Sequence, residues 1–154
     1  MPASTAQPIA SYPSHDELVR QRLQDAAIAC VHDMGLAKVN MLHIAGRAGM
    51  VRQTVYNYYQ NKHEVLAAAF VREGTRFAGA IAEHIPGIDG ADNQFVEAFL
   101  YVVEHFPRNP ILALVLEPGS DFLGRVGMRY YPFGPFGEIA FASVFAAQPA
   151  LAAQ

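Results

Sequence analysis

The sequence lacks the features that mark a secreted or membrane-spanning protein. Its single cysteine, Cys30, excludes an internal disulfide. No uninterrupted apolar run reaches the roughly 18 to 20 residues of a membrane helix, although 52% of the residues are hydrophobic. The first 19 residues contain no Lys or Arg, so the charged start of a secretory signal is missing. We therefore expect a cytoplasmic protein with no membrane span.

Groupings typical of catalytic and metal sites are also missing. The six histidines lie 11 to 21 positions apart, so none is paired at the i, i+3 or i, i+4 spacing of a helical metal site. No Ser/His/Asp order, phosphate loop or close carboxylate pair stands at a glycine-marked turn. Cys30 falls on the packed face of a helical pattern, where a small apolar role is more typical than a nucleophilic one. We expect no catalytic residue, no metal, no cofactor and no enzyme activity.

Helical periodicity dominates the chain, and no useful stretch alternates as a β-strand would. The length of 154 residues fits one domain, or a small domain with a second that completes its core. Ser14 and Glu17 form a capping box, after which apolar residues recur at helical spacing until Gly35. Longer helical patterns run from about Asn61 to Ile85 and from about Ala91 to Phe106. The pattern predicts an all-α fold.

Four other segments have a simpler interpretation. Residues 1–13 are predicted to be a flexible tail. Residues 109–118, NPILALVLEP, predict a short buried helix between prolines. Eight of the twenty residues from 118 to 137 are Gly or Pro, which prevents a long regular element. The chain from residue 138 is rich in alanine and predicts one or two helical turns.

A helix-turn-helix pattern lies between Val39 and Leu66. Ile44, Ala45 and Ala48 give the spacing of a small closely packed helix, and Gly49 sits where the chain must bend. Placed on a helical wheel, residues 51–60 divide into a core side (Val51, Val55, Tyr58, Tyr59) and a polar side (Arg52, Gln53, Tyr56, Asn57, Gln60). Two helices joined by a tight turn form a unit whose second helix enters the DNA major groove. The polar side then faces the bases.

The charge distribution is compatible with DNA contact at one end of the protein. The net charge is −3, but residues 14–62 carry six Lys or Arg and four Asp or Glu, whereas residues 63–154 carry five and ten. Local charge within about 8 to 10 Å decides attraction to phosphate at physiological salt. Arg20, Arg22 and Arg47 are further candidates for phosphate contact, with a solvated surface role as the open alternative.

The segments RQRLQDAAIACVHDMG and NMLHIAGRAGMVRQTVYNYYQNKHEVL together resemble the N-terminal DNA-binding domain of TetR-family transcriptional regulators. The resemblance covers about 47 residues, from Arg20 to Leu66. Its elements agree in order and spacing, including Gly35, the pair Ala48 and Gly49, and the tyrosine-rich end of the second helix. Such agreement is more specific than a lone helix-turn-helix pattern.

The resemblance implies a set of DNA-contacting residues: Asn40, Arg52, Gln53, Thr54, Tyr56, Asn57 and Lys62. In the family, the positions of Asn40 and Lys62 lie near phosphates, and those of Thr54 and Tyr56 touch the backbone or the bases. The other three occupy the positions through which members differ in sequence choice. Arg favours guanine, and Gln or Asn favours adenine, each good bidentate pair being worth about 1 to 3 kcal/mol.

The sequence departs from the family pattern in four ways. Val51 stands where most members have a small hydroxyl residue that caps the recognition helix, a loss of roughly 0.5 to 2 kcal/mol. His43 replaces an acidic residue. Tyr59 replaces a phenylalanine, so its phenol needs a partner or water. The chain is also shorter than most members, which usually end with two long helices that form the dimer interface.

We divide the chain into the flexible tail, a helix-turn-helix domain at residues 14–62 and a shortened helical effector and dimerisation domain at residues 63–154. The helix from Ala91 to Phe106 is apolar around most of its circumference, so we expect it to be buried as core. The resemblance implies a small-effector cavity in this region, lined by Phe77, Ile81, His84, Phe95, Phe99, Val102 and Phe106. Its occupant would be apolar or aromatic.

The sequence therefore predicts a homodimeric regulator that binds a palindromic double-stranded DNA operator and acts as a repressor released by a small hydrophobic effector. The alternative is a truncated family member that acts as a protein-interaction module without specific DNA binding. The chain length favours this alternative, and the full helix-turn-helix pattern favours the regulator.

Overall fold

The structure, a computed structural model, describes residues 12–118 and 120–125. These residues form helices and turns without a strand, in agreement with the all-α prediction. The α-helices of this part are α1 (His15–Met34), α2 (Met41–Ala48), α3 (Arg52–Tyr58), α4 (Lys62–His84), α5 (Ala91–His105) and α6 (Phe122–Arg125). Short 3-10 helices are Ile85–Gly87, Phe106–Arg108 and Ala113–Val115. None of the helices described has the length and apolar character to cross a bilayer. The predictions for residues 1–11 and 126–154 lie outside the described residues.

The ends of α1 and α2 follow the predicted local signals. The Ser14 amide donates to the Glu17 carboxylate over 2.6 Å, and the Glu17 amide donates to the Ser14 hydroxyl over 3.2 Å, which completes the capping box. The Asn40 side-chain oxygen accepts from two amides at the start of α2. Gly49 ends α2 with φ 65° and ψ 34°, a left-handed conformation that glycine adopts without strain. The tight turn between α2 and α3 is therefore confirmed.

The core is built from one face of each of the first four helices. Leu23 and Ala27 of α1, Ile44 of α2 and Leu66 of α4 are fully buried there. Cys30 is buried in the same cluster, and burial raises the pKa of its thiol, as the packed position predicted from the sequence requires. These contacts bury the apolar stripes that the sequence pattern identifies.

The same core extends into residues 111–122. Ile111, Leu112, Leu114 and Phe122 are buried with the helix-turn-helix residues, and the Phe122 ring lies edge-on to Phe70 of α4 at 5.4 Å. The prediction that residues 109–118 are buried is thus confirmed for three positions, but the predicted helix is wrong in type. The chain forms a turn and a single 3-10 turn instead.

The side chain of Asn109 caps the start of this segment. Its oxygen accepts hydrogen bonds from the amides of Ile111 and Leu112, over 3.1 and 3.3 Å. Asn40 caps α2 through the same pattern of bonds, so the cap does not limit the length of the helix. A segment this short between prolines gains too little to nucleate a longer helix.

The expected burial of α5 is wrong for one of its faces. Phe95, Val96, Phe99, Leu100 and Val103 are each at least half exposed in the single chain. The opposite side is covered, because the Tyr101 ring contacts Phe77 of α4 at 5.7 Å. One neighbouring helix covers one side only, so the periodicity correctly indicates a helix and overestimates how much of it is buried. We call these five exposed side chains the α5 apolar face.

The extended core gives a direct test with a matched pair of leucines. Leu112 is 0% exposed and Leu116, four residues later, is 57% exposed. We expect Leu112→Ala to lower the free energy of unfolding by about 2 to 5 kcal/mol, because it leaves a cavity in the shared core. Leu116→Ala should change it by less than about 0.5 kcal/mol. Urea denaturation followed by circular dichroism measures both, and equal losses would contradict the placement of residues 111–122.

Candidate nucleic-acid interface

The recognition helix α3 has one buried side and one exposed polar side. Val55 is 0% exposed, and Tyr59, just after the helix, is also buried. The polar side is exposed as predicted and consists of Arg52, Gln53, Tyr56, Asn57 and Gln60. Thr54 lies between the two sides and is half-buried. The turn at Gly49 and the anchor at Val55 thus present a row of hydrogen-bonding groups to solvent.

Val51 does not lie on the core side, and the prediction for this residue is wrong. Its side chain is 71% exposed. The reason is that Val51 precedes the helix, with an extended backbone at φ −73° and ψ 148°, so a helical wheel does not describe its direction. No side-chain hydrogen bond caps α3 at this position, which agrees with the cap predicted to be lost.

The polar side chains of α3 contact one another in pairs four residues apart. A guanidinium nitrogen of Arg52 donates to the Tyr56 hydroxyl over 3.2 Å, and the guanidinium lies over the ring, 5.1 Å from its centre. Gln53 is 3.5 Å from the side-chain oxygen of Asn57. Such pairs restrict long side chains before any ligand arrives.

An open groove of about 400 Å³ runs beside this polar side. It lies where α3 meets the first residues of α2 and α4, and its lining is Asn40, Met41, Leu42, Arg52, Tyr56, Gln60, Asn61 and Lys62. Four of the seven residues implied by the family resemblance therefore lie around one groove. The groove is lined by donors from three separate helices.

Asparagine side chains cap both helices that begin at this groove. The Asn40 oxygen accepts from the amides of Leu42 and His43, each over 3.0 Å. The Asn61 oxygen accepts from His63 and Glu64, over 2.9 and 3.1 Å. Sequence reasoning missed the cap at Asn61, although the order Asn-x-x-Glu at residues 61–64 is typical of a helix start.

Lys62 begins α4 and points toward the connection between α1 and α2. Its ammonium group donates to the carbonyl oxygens of Leu36 and Val39, over 3.3 and 2.8 Å. The side chain is half-buried. An ammonium group has three donors, so these two bonds leave one for a phosphate. The structure therefore gives Lys62 a bracing role that the sequence did not indicate.

Two of the three additional arginines form contacts within the protein. Arg20 lies over the rings of Tyr58 and Tyr59. Arg47 pairs with Asp33, and hydrogen bonds from His32 and from Arg47 lower the pKa of the Asp33 carboxyl group. Arg22 is exposed on α1.

The residues expected around an effector cavity are only partly brought together. Phe77, His84 and Phe106 gather around α5, with Phe77 5.5 Å from Phe106 and His84 5.2 Å from Tyr101. Ile81 is buried and Val102 half-buried, whereas Phe95 and Phe99 lie on the α5 apolar face. Tyr101 was missed by sequence reasoning. Its spacing of four residues from His105, on which it stacks at 4.1 Å, could have indicated it.

No three potential metal-binding side chains come together in the described residues. A second groove of about 410 Å³ lies between α1, α4 and Pro110. Its charged side chains are largely paired: Arg72 donates to the Gln21 carbonyl and to Asp25, and Glu73 accepts from Arg76 and Asn109. This groove lies between the helix-turn-helix domain and the residues that follow α5.

These features define the class of helix-turn-helix DNA-binding domains. A family model described as bacterial regulatory proteins, tetR family, matches residues 23–69. An uncharacterised HTH-type transcriptional regulator from Mycobacterium bovis is 33% identical over 97 residues, which are 62% of this chain and 49% of that protein. The chain thus spans about half the length of this curated relative.

Two solved structures share the fold at 19% identity. A fatty acid degradation regulator, FadR, from Bacillus halodurans has a TM-score of 0.59 over 76% of this chain and 61% of its own. A TetR-family transcriptional regulator from Haemophilus influenzae has a TM-score of 0.52 over 65% and 55%. The family model matches the segment whose residues carry the resemblance, so residues 23–69 are similar to the DNA-binding domain of the tetR family.

The bracing role of Lys62 is testable apart from DNA. Lys62→Met keeps the length of the side chain and removes the donors to the Leu36 and Val39 carbonyls. We expect a loss of about 1 to 3 kcal/mol in the free energy of unfolding, because half-buried acceptors are left without their charged donor. The control is Lys38→Met, since Lys38 is exposed and should have little effect. Thermal denaturation compares the two, and identical midpoints would contradict a brace.

Proposed function

We propose that this chain is a sequence-specific DNA-binding transcriptional regulator whose helix α3 enters the major groove. The observation that carries the proposal is the division of α3, with Val55 fully buried behind it and its polar side exposed in front. A helix held by its back in this way can present side chains to base edges without unfolding the core. Acting on chromosomal DNA, the protein would work in the cytoplasm.

We assign reading of the bases to Arg52, Gln53 and Asn57, and contacts to the backbone or bases to Thr54 and Tyr56. Arg52 suits guanine, and the two amides suit adenine. Asn40 and Lys62 are proposed to meet phosphates on either side of α3. Support comes from the shared groove, whose lining includes Asn40, Arg52, Tyr56 and Lys62. Phosphate contacts fix the position of the helix, and base contacts give the specificity.

We further propose that the protein binds a palindromic operator as a homodimer through the α5 apolar face. Five large apolar side chains on one helix are half exposed or more in the single chain. Contiguous exposed patches of this kind mark interaction surfaces. A twofold dimer would place two recognition helices about 34 to 36 Å apart, in successive major grooves. No comparison favours the alternative of an interaction module without specific DNA binding.

We also propose that the protein acts as a repressor controlled by a small apolar effector. The support is the aromatic cluster between α4 and α5, in which Phe77 and His84 contact Tyr101 and Phe77 also contacts Phe106. A ligand that separates these rings would shift α5 against α4. It would release DNA only if it bound the non-reading state more tightly, because equal affinity for both states shifts nothing.

Selection from a randomised duplex library tests sequence-specific binding without knowledge of the operator. We expect the protein to enrich a palindromic sequence. Arg52→Ala should then relax one base position in each half-site and weaken binding by about 1 to 3 kcal/mol. The matched control is Arg108→Ala, which removes an exposed arginine paired with Glu104 near the end of α5.

The control variant should retain the selected sequence and its affinity. Failure of the wild-type protein to enrich any sequence would contradict the regulator and support the interaction-module alternative. Enrichment that is identical for wild type and Arg52→Ala would contradict the assigned reading side.

The dimer proposal is tested by light scattering at micromolar concentration. We expect the wild-type mass to be twice that of the chain, and Phe99→Asp to give a monomer, because a carboxylate would be buried in the apolar interface. Leu18→Asp is the control, since Leu18 is equally half-exposed but lies on α1. A monomeric wild type, or a Phe99→Asp variant that remains dimeric, would contradict the role of the α5 apolar face.

A further inference from the structure

The recognition helix begins without the support that most helices have. The seven-residue α3 follows Val51, whose side chain makes no capping hydrogen bond. A helix this short is unstable by itself, because nucleation costs more than a few backbone bonds return. The order of α3 must therefore come from packing and from contacts elsewhere along the helix.

Contacts at the C-terminal end of α3 come from a stripe of residues on α1. Asp16, Arg20 and Gln24 are spaced four residues apart, so their side chains lie on one face of the helix. We call these three residues the α1 stripe. Each of them bonds to one of the two tyrosines, Tyr58 and Tyr59, at which α3 ends.

The bonds of the α1 stripe differ in kind. The Tyr58 hydroxyl donates to the Asp16 carboxylate over 2.9 Å, and this bond raises the pKa of the phenol. Arg20 donates to the Tyr58 carbonyl oxygen over 3.4 Å. Gln24 donates to the Tyr59 hydroxyl over 2.9 Å in the buried core. The Tyr59 hydroxyl, which stands where most family members have a phenylalanine, thus has a hydrogen-bond partner in Gln24.

Arg20 makes the most contacts of the three. Besides its bond to the Tyr58 carbonyl, its guanidinium lies 5.4 Å from the centre of the Tyr58 ring and 5.5 Å from that of Tyr59. A cation beside the last carbonyls of a helix also interacts favourably with the negative end of the helix dipole. The C-terminal end of α3 is therefore fixed by charge, hydrogen bonding and ring stacking together.

We propose that the α1 stripe positions the recognition helix for DNA, in place of the cap missing at Val51. The three residues are positioning residues, because they act on α3 through the tyrosines and lie outside the groove beside its polar side. This inference rests on the proposed DNA binding. If α3 is ordered only part of the time, the apparent affinity is the affinity of the ordered state multiplied by the ordered fraction. The α1 stripe keeps this fraction high.

The test removes one hydroxyl and measures DNA affinity. Tyr58→Phe retains the ring under Arg20 and deletes the bond to Asp16. We expect a loss of about five- to tenfold in affinity for the duplex selected by the wild type, with an unchanged salt dependence, since no phosphate contact is lost. Amide hydrogen exchange in α3 should become faster, while the midpoint of thermal unfolding stays close to the wild-type value.

The matched control is Tyr12→Phe, which removes the same atom from an exposed tyrosine before α1. It should leave affinity and α3 exchange unchanged. Restoring the cap gives a second arm: Val51→Ser supplies the hydroxyl that the helix start lacks. In the Val51→Ser background, Tyr58→Phe should cost less than about twofold. If the new serine only contacted a phosphate, affinity would rise, but Tyr58→Phe would cost as much with Val51→Ser as without it.

Two results would overturn the proposal. One is a Tyr58→Phe protein with wild-type affinity and wild-type exchange in α3. The other is an equal loss of affinity with and without Val51→Ser, since the stripe would then not act through the order of the helix. If the wild type selects no duplex at all, the proposed function fails, and the exchange of the α3 amides alone decides whether the stripe orders this helix.

Discussion

The burial of Val55 is the contact on which the rest of the candidate site depends. Its side chain is fully excluded from solvent between α1, α2 and α4, and it lies at the middle of the seven-residue α3. A helix of this length gains most of its stability from such packing and little from its own backbone bonds. Because Val55 anchors the buried side of α3, the polar side chains on the other side are directed outward together. Gly49 then sets the angle at which the chain enters the helix.

Local signals made much of this part predictable from the sequence. The capping box at Ser14, the cap at Asn40 and the glycine at residue 49 act within a few residues, so their geometry follows from residue type and spacing. The bracing bonds of Lys62 span 23 and 26 positions, and the Tyr58 bond to Asp16 spans 42. Contacts over such separations depend on how helices pack, which spacing along the chain does not encode.

The same distinction explains where prediction from the sequence was wrong. Val51 was assigned to the core because helical periodicity was extended one residue before the helix begins. The α5 helix was correctly identified, and its burial was overestimated, because a pattern reports which residues are apolar and not how many neighbours surround them. The short 3-10 geometry after Asn109 follows from the few residues between Pro110 and Pro118, which are too few to nucleate a longer helix, and a count of apolar residues does not register this.

Hydrogen bonds also connect the two predicted domains that meet at residue 62. Arg72 and Glu73 of α4 are nearly buried, and their bonds reach Gln21 and Asp25 on α1 and Asn109 after α5. Breaking one member of a poorly solvated network leaves its partner without compensation, so the three segments are held in one arrangement. Asn109 also shapes the turn that places Leu112 in the core. The turn after α5 is therefore bonded through Glu73 and Arg72 to α1, the helix that carries the α1 stripe.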